Sequence, residues 1–477
     1  MTPTPEQFAI VEAAQSTSDN LLINALAGAA KTSTLILIAN ALPAVLILCL
    51  AFNKKVADEM RDRLPENCES MTLNSLGHRA WGAAIGRRLV VDKAKMYGIL
   101  KSLIDKLSKT QKEEAYDNFS TILKNLELAK SGGWIPDGKF DQGKRLVNDE
   151  KFFASLDEAP TELEEQLYRA SMYESIAQAY KGTIDFNDQI YMPTLFQANF
   201  PAFPLVMVDE AQDLSPLNHA TLKKLVNRRL IAVGDPCQAI YGFRGADELS
   251  MSKLQSMFSM REMVLSISFR CPKAVVGEAQ WRAPHMRYPA WAKDGAVRTF
   301  TKWTVSDLPS ECAIICRNNA PIFSMAVRLF GAGRYAEIVG NDIGKNLIKF
   351  LKKLGPPDLP QEQVLAAIAE FEQLRLKKSR SAARVKDECE CLRIFARQGD
   401  NLSAATAYAE HIMNATGLIK MMTGHKSKGL EFSNVFILNR DLLHLGEGSQ
   451  DNNLLYVMQT RSKENLTYVA SEMFMEA

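Results

Sequence analysis

Two short apolar runs, each ending in a polar cluster, constrain this chain more than any other feature. Leu205–Val208 leads into DEAQDLS, and Leu230–Val233 leads into GDPCQAIYGFRGA. Wholly apolar runs of this length, bounded by polar turns, read as strands buried on both faces of a parallel sheet. Open α/β sheets bind their ligands beyond the carboxyl ends of such strands. Asp209 and Glu210 therefore suit a Mg²⁺-nucleotide site, one carboxylate holding the metal and one orienting water. Gln238 suits a γ-phosphate sensor. Tyr241, Phe243 and Arg244 follow on the same loop, so nucleotide hydrolysis and nucleobase stacking are expected side by side. The competing reading, two core strands with incidental acidic ends, has to explain two linked motifs at once.

Bulk properties set the frame. The chain has 477 residues, enough for roughly three domains of ordinary size. A hydrophobic content of 47% is that of a globular protein. With 57 basic and 55 acidic residues the formal net charge is +2. Any nucleic-acid surface must then be a local track, not a global basic field. Eight cysteines are scattered without paired CxxC knuckles, which favours reduced thiols over zinc or disulfides. MTPTPEQFAIVEAA has no basic region followed by an apolar core, so no signal peptide is expected. The longest apolar run, Leu35–Phe52, is broken by Asn40 and Pro43 and reads as helix, turn and strand, not a membrane span.

Periodicity divides the chain. Leu21–Ala25, Ala44–Ala51 and the two opening runs are strands of a first α/β core, with a charged helix over Lys54–Leu64. Residues 83–182 are charged and helical in pattern, with a break at SGGWIPDGK (131–139), and read as an insertion. Ala296–Thr301, Cys312–Cys316, Ile419–Met422, Val435–Leu438 and Leu466–Ala470 are strand candidates of a second core. A second helical insertion spans 343–412, punctuated by LGPPDLPQEQ. The expected architecture is α/β: a first core over 1–82 and 183–267, and a second over 268–342 and 413–477. Each core has a parallel sheet interrupted by a mainly helical insertion.

ALAGAAKT (Ala25–Thr32) follows the first strand and opens a helix, the setting of a phosphate-binding loop. That chemistry needs backbone N–H groups, a lysine for the β/γ-phosphates and a hydroxyl for Mg²⁺. Gly28, Lys31 and Thr32 can supply them. Alanines occupy positions 25 and 30, where the usual GxxxxGK[ST] has glycine. A methyl at position 30 is harmless only if that backbone keeps negative φ and its Cβ points away from phosphate.

DEAQD followed by GDPCQAIYGFRGA resembles motifs II and III of the superfamily 1 helicases of the UvrD/Rep type. TPEQFAIV resembles motif Q, LAFNKKVADEM motif Ia, LSISFRCP motif IV, TGHKSKGLEFSNVFI motif V and NLLYVMQTRSKENL motif VI, all in family order. The wording of AFNKKVADEM and TLNSLG is most similar to the F-box DNA helicase branch and its phage or bacterial relatives. The resemblance covers both cores and is thin across the insertions.

What the resemblance implies is specific. The fold would be two RecA-like P-loop cores with ATP and Mg²⁺ in the cleft between them. Ala25, Leu26, Ala27, Gly28, Ala29, Ala30, Lys31, Thr32 and Ser33 would cradle phosphate, and Thr32 and Asp209 would hold the metal. Gln7 would read adenine, Phe269 would pack on it, and Glu431 would lie near the ribose. Glu210 would orient water, while Gln238, Arg270 and Arg461 would sense or stabilise the γ-phosphate. Phe52, Asn53, Lys54, Thr72, Asn74, His78, Tyr241, Phe243, His425 and Lys428 would line a single-stranded DNA track. The implied activity is a DNA-stimulated ATP hydrolase acting as a DNA helicase or translocase, moving 3′ to 5′ on single-stranded or tailed duplex DNA. It would act as a monomer in the cytoplasm (on the nucleoid, or in a host if phage-encoded), in replication, repair or recombination. Proteins of those processes are candidate partners, and no membrane is expected. Two alternatives stay open. One is an ATP-binding single-strand DNA-binding protein with weakened hydrolysis, motivated by Ala30. The other is a translocase that strips proteins from DNA. The short second insertion is expected to lack much of a regulatory subdomain.

Overall fold

The computed structural model describes residues 2–242, 245–247, 249–340, 342–379 and 381–475. Phe243 and Arg244, named above, lie outside the described residues. The chain forms two compact units, Met1–Ala25 with Ala30–Leu265, and Leu26–Ala29 with Ser266–Ala477. Among the described residues no helix is long and apolar enough to cross a membrane.

The first unit is built on β1 (Leu21–Ala25), β2 (Ile47–Ala51), β3 (Cys68–Thr72), β6 (Leu205–Val208), β7 (Arg229–Gly234) and β8 (Arg261–Leu265). They form one sheet in the order β3-β2-β6-β7-β1-β8, and every pairing is parallel. The apolar runs singled out by sequence are its buried centre; β2 and β6 are buried at every position. The first strand pair differs from expectation in one place. Ala44–Leu46 lies outside β2, because Pro43 opens a turn there and Asn67 Nδ2 donates to the Leu42 and Val45 carbonyls at 3.0 and 2.6 Å. The flanking strands β3 and β8 were not expected. Their exposed polar positions, such as Glu69, Arg261 and Glu262, remove the apolar run that marks a central strand.

A short parallel pair, β4 (Val90–Val91) with β5 (Thr183–Ile184), joins the two ends of the helical segment between them. Beneath it, Lys130 Nζ lies 2.5 Å from Asp185 Oδ2 and 2.6 Å from Asp188 Oδ1, and Lys95 Nζ lies 2.5 Å from Asp188 Oδ2. All four residues are buried, and Ser175 supplies its hydroxyl to Lys130 and its carbonyl to Lys95. Two cations against two carboxylates, each hydrogen-bonded, is the arrangement in which buried charge is tolerated.

The second unit repeats the plan. It contains β9 (Ala296–Thr299), β10 (Cys312–Cys316), β11 (Ala336–Ile338), β12 (Ile419–Thr423), β13 (Phe432–Leu438) and β14 (Ser462–Val469). Their order is β11-β12-β10-β13-β14-β9, again all parallel. Helices Asp342–Leu351, Gln361–Lys378, Ala382–Ala396 and Leu402–Asn414 lie between β11 and β12. Leu347, Leu351, Ile368, Val385 and Phe395 from these helices share one hydrophobic core with Ile314, Met421 and Phe436 of the sheet. This segment is therefore packed into its core, not an appendage to it.

Candidate nucleotide site and nucleic-acid track

Because the first sheet is wholly parallel, the carboxyl ends of β1, β6 and β7 open on the same edge. Ala25 ends β1, and helix Lys31–Ala41 begins six residues later with no side-chain cap at its N-terminus. Its first backbone N–H groups point out of the helix, which makes the end a ready anion site. Gly28 has φ +76, and a Cβ there would lie 2.7 Å from both Ser268 Oγ and Arg270 Cβ, so only glycine fits.

Ala30 adopts φ +56, ψ +44. The condition set by sequence, negative φ at position 30, is not met. The loop needs a left-handed residue just before the helix, and here a non-glycine residue carries that conformation at a cost of roughly 1–2 kcal/mol. Glu210 is also left-handed, with φ +52. Both outliers flank the proposed phosphate position, where strain is commonly held.

Around that position the polar side chains form one connected set. Lys31 Nζ lies 3.0 Å from Glu210 Oε2. Burial would push its ammonium pKa down, but Glu210, Asp235 and Asp209 together hold it above its ordinary value. Thr32 Oγ1 donates to Asp209 Oδ2 at 2.8 Å. Burial, with the Glu210 charge next, raises the Asp209 carboxyl to about 6. A hydroxyl and a carboxylate in contact fit Mg²⁺, which takes one or two protein oxygens and completes its octahedron with water and phosphate. Gln238 Nε2 donates to Asp235 Oδ2 at 2.6 Å, and burial raises the Asp235 carboxyl pKa.

Sequence reading passed over Gln212 and Asp235. Gln212 Nε2 donates to Glu210 Oε2 at 2.6 Å, while its Oε1 accepts the Asp235 backbone N–H at 2.9 Å. One buried carboxamide thus ties the end of β6 to the end of β7. The available signal was the Q of DEAQD, whose polar side chain follows a strand that leaves it no solvent. Gln7 is buried; its Oε1 accepts the Thr4 N–H in a capping box and its Nε2 donates to Thr34 Oγ1 at 3.0 Å.

In the second unit Phe269 stacks on Trp291. Arg270 pairs with Glu431 at 2.6 Å and donates to the Thr460 carbonyl at 3.4 Å. Arg461 is buried and donates to the carbonyls of Val457 (2.8 Å) and Leu430 (3.3 Å) and to Thr460 Oγ1 (3.2 Å). Burial and the neighbouring Arg270 lower its pKa to about 10. His425 lies in the short helix Gly424–Ser427, directly after β12, and Lys428 follows that helix.

The expected DNA-track residues of the first unit sit after β2 and β3. Phe52 is 52% exposed. Asn53 caps helix Lys54–Arg61 by accepting the Val56 N–H, and Thr72 caps helix Leu73–Ile85 by accepting the Ser75 N–H. Asn74 Nδ2 donates to the Phe186 carbonyl at 2.8 Å, and His78 Nδ1 lies 3.3 Å from Gln189 Nε2. Lys54 is exposed and Tyr241 is half-buried. Phe186, not singled out from sequence, is 62% exposed beside Asn74; an aromatic within DFND was the signal.

A UvrD/REP helicase N-terminal domain matches residues 4–259. The chain belongs to the UvrD/REP helicase family. A UvrD-like helicase C-terminal domain also matches residues 418–469. The F-box DNA helicase protein 1 of Schizosaccharomyces pombe is 23% identical over 517 aligned residues, covering 97% of this chain and 57% of that protein. The F-box DNA helicase 1 of Gallus gallus is 24% identical over 93% of this chain and 46% of its own length. A probable DNA helicase II homolog of Mycoplasma genitalium is 26% identical over 49% of this chain and 35% of its own length. The chain thus spans about a third to just over half of these curated relatives. In the terms of the UvrD/REP family, the two parallel sheets are its two RecA-like cores.

Proposed function

We propose that this UvrD-like chain is an ATP-dependent DNA helicase or translocase that moves 3′ to 5′ on single-stranded DNA. The observation that carries the reading is the convergence of Lys31, Thr32, Asp209, Glu210 and, through Asp235, Gln238 at the carboxyl ends of β1, β6 and β7. Lys31 and the uncapped helix end bind the β/γ-phosphates, and Thr32 and Asp209 hold Mg²⁺. Glu210, oriented by Gln212, positions the attacking water. Gln238 reports the γ-phosphate to the Tyr241 loop. From the second core, Arg270 and Arg461 neutralise charge developing on the transferred phosphoryl group, and Phe269 packs on the base. Phe52, Lys54, Thr72, Asn74, His78 and Phe186 contact single-stranded DNA in the first core, and His425 and Lys428 do so in the second. Phe243 belongs to the same proposed track.

The test is DNA-stimulated ATP hydrolysis by the full chain beside Lys31→Ala and Glu210→Gln. Wild-type turnover that rises with single-stranded DNA and drops at least a hundredfold in either variant is expected. Turnover no greater than in the variants removes the reading. Strand displacement on substrates with opposite tails then reads polarity. The strained Ala30 favours one second reading, an ATP-dependent single-strand binder with slow hydrolysis. ATP-dependent DNA binding without stimulated turnover would select it.

A further inference from the structure

Trp291 is 64% exposed, an unusual position for an indole. It is not on a loose loop. The Ala292 N–H donates to the Pro289 carbonyl, and the Lys293 and Asp294 carbonyls accept from Lys273 and Ala274 at 2.9 Å each. Upstream, a parallel bridge pairs Ile267 with Arg287. The same segment is thus tied to the chain on both sides of the bend that carries Phe269 and Arg270. The Trp291 and Phe269 rings lie with centroids 6.2 Å apart and planes 27° from parallel. Both line a cavity of about 270 Å³ with Arg270, Lys293, Lys463 and Glu464. Lys293 pairs with Glu464 at 2.5 Å.

We propose that Trp291 is the second face of a purine-nucleotide base site, and that the base enters between Phe269 and Trp291. Aromatic carbons in contact lie about 3.5–4 Å apart, so a planar base held between two rings needs about 7 Å. The centroids, now 6.2 Å apart, would have to separate by about 1 Å with the rings brought face to face, a movement open to the exposed indole. Lys463 and Arg270 are among the cavity's lining residues, and positive charge there suits a nucleoside di- or triphosphate. Two flat faces favour the larger purine surface over a pyrimidine. The inference rests on the reading of Phe269 as the base-packing residue and adds a partner to it.

The experiment measures KM and kcat for ATP at saturating single-stranded DNA in wild type, Trp291→Ala, Trp291→Phe and Phe269→Ala, with tryptophan emission titrated by ADP. Trp291→Ala should raise KM about tenfold with little change in kcat, in keeping with one lost base stack, and Trp291→Phe should recover most of the loss. ADP should quench wild-type emission and leave Trp291→Phe emission unchanged. An unaltered KM in Trp291→Ala, where Phe269→Ala raises it, overturns the role of Trp291 alone. Quenching by oligothymidine without any response to ADP overturns the nucleotide assignment. A wild type that neither hydrolyses ATP nor responds to ADP removes the underlying reading as well.

Discussion

Lys31 Nζ rests 3.0 Å from Glu210 Oε2. The lysine that would meet the β/γ-phosphates is thus satisfied by the carboxylate that would orient the attacking water. In the proposed site, nucleotide binding would exchange one anion for another at the same ammonium. The exchange would release Glu210 from the ammonium while Gln212 Nε2 still holds it at 2.6 Å, so phosphate arrival and loss of the ion pair at the proposed base would be one event.

Glu210→Gln follows from this exchange. It removes the competing charge while keeping the side-chain shape. ATP should bind several-fold more tightly, whereas turnover should fall at least a hundredfold, about 3 kcal/mol in the barrier. Equilibrium binding of a fluorescent nucleotide and phosphate-release kinetics check the two halves. Weaker binding in the variant would contradict the exchange.

Gln212→Ala cuts the bridge between the ends of β6 and β7. A water-orienting carboxylate held loosely loses near-attack geometry, so kcat should drop about tenfold to a hundredfold with little change in KM. Gln212→Glu should be worse, because it sets a second carboxylate against Glu210. Steady-state ATPase kinetics normalised to the number of nucleotide-binding sites distinguish these from a folding defect, which would lower the binding stoichiometry and leave turnover per binding site unchanged.

Ala30 gives the opposite sign. Glycine removes the left-handed penalty but adds freedom to the unfolded chain, so Ala30→Gly should stabilise by about 1 kcal/mol at most. Ala30→Val places a β-branched residue at φ +56 and should destabilise by about 2 kcal/mol or more. Chemical unfolding of the three proteins reads this directly. Faster ATP turnover in Ala30→Gly is also expected, since the loop then reaches its binding shape without strain.

His219 sets a pH limit. It is buried, and its ring lies 2.9 Å from Ser250 Oγ, which joins helix Pro216–Leu225 to helix Ser250–Phe258. Burial pushes its pKa down to about 4 from an ordinary 6.5, against the opposing Asp247 carboxylate. Between these values the unfolded chain binds more protons, so stability is full above 6.5 and falls as pH drops towards 4. The loss approaches about 3 kcal/mol. His219→Gln keeps a hydrogen-bonding side chain and should flatten that part of the stability curve in unfolding experiments from pH 4 to 7. Equal slopes in both proteins would count against the assignment.

The buried Lys95–Asp188–Lys130–Asp185 set predicts strong coupling. Burial would raise the Asp188 pKa, but Lys130 and Lys95 override it and hold the carboxyl below its ordinary value. Lys130→Met leaves buried carboxylates short of a cation and should cost about 3–5 kcal/mol. Adding Asp185→Asn should recover a large part. A double-mutant cycle in unfolding experiments measures the coupling.

What could be read from the residues in order was whatever is encoded locally. A central parallel strand is a continuous apolar run, and the polar residues at its carboxyl end follow it within a few positions; β1, β6 and β10, and the placement of Lys31, Asp209 and Glu210 after β1 and β6, were legible for that reason. The edge strands β3 and β8 were hidden, because an edge position tolerates Glu69 or Arg261 where a central one would not. The backbone sign at Ala30 was not legible either: alanine gives no local hint of positive φ, and only the closure of the loop onto the helix imposes it. The fold alone brought Gln212 to Asp235, 23 positions apart, and Lys95 to Asp188, 93 apart. Such contacts depend on which strands become neighbours and on how much water the packed core excludes. A local pattern carries neither quantity. The chemistry of the proposed site was thus written in short motifs, while its ionic balance and strain came from tertiary packing.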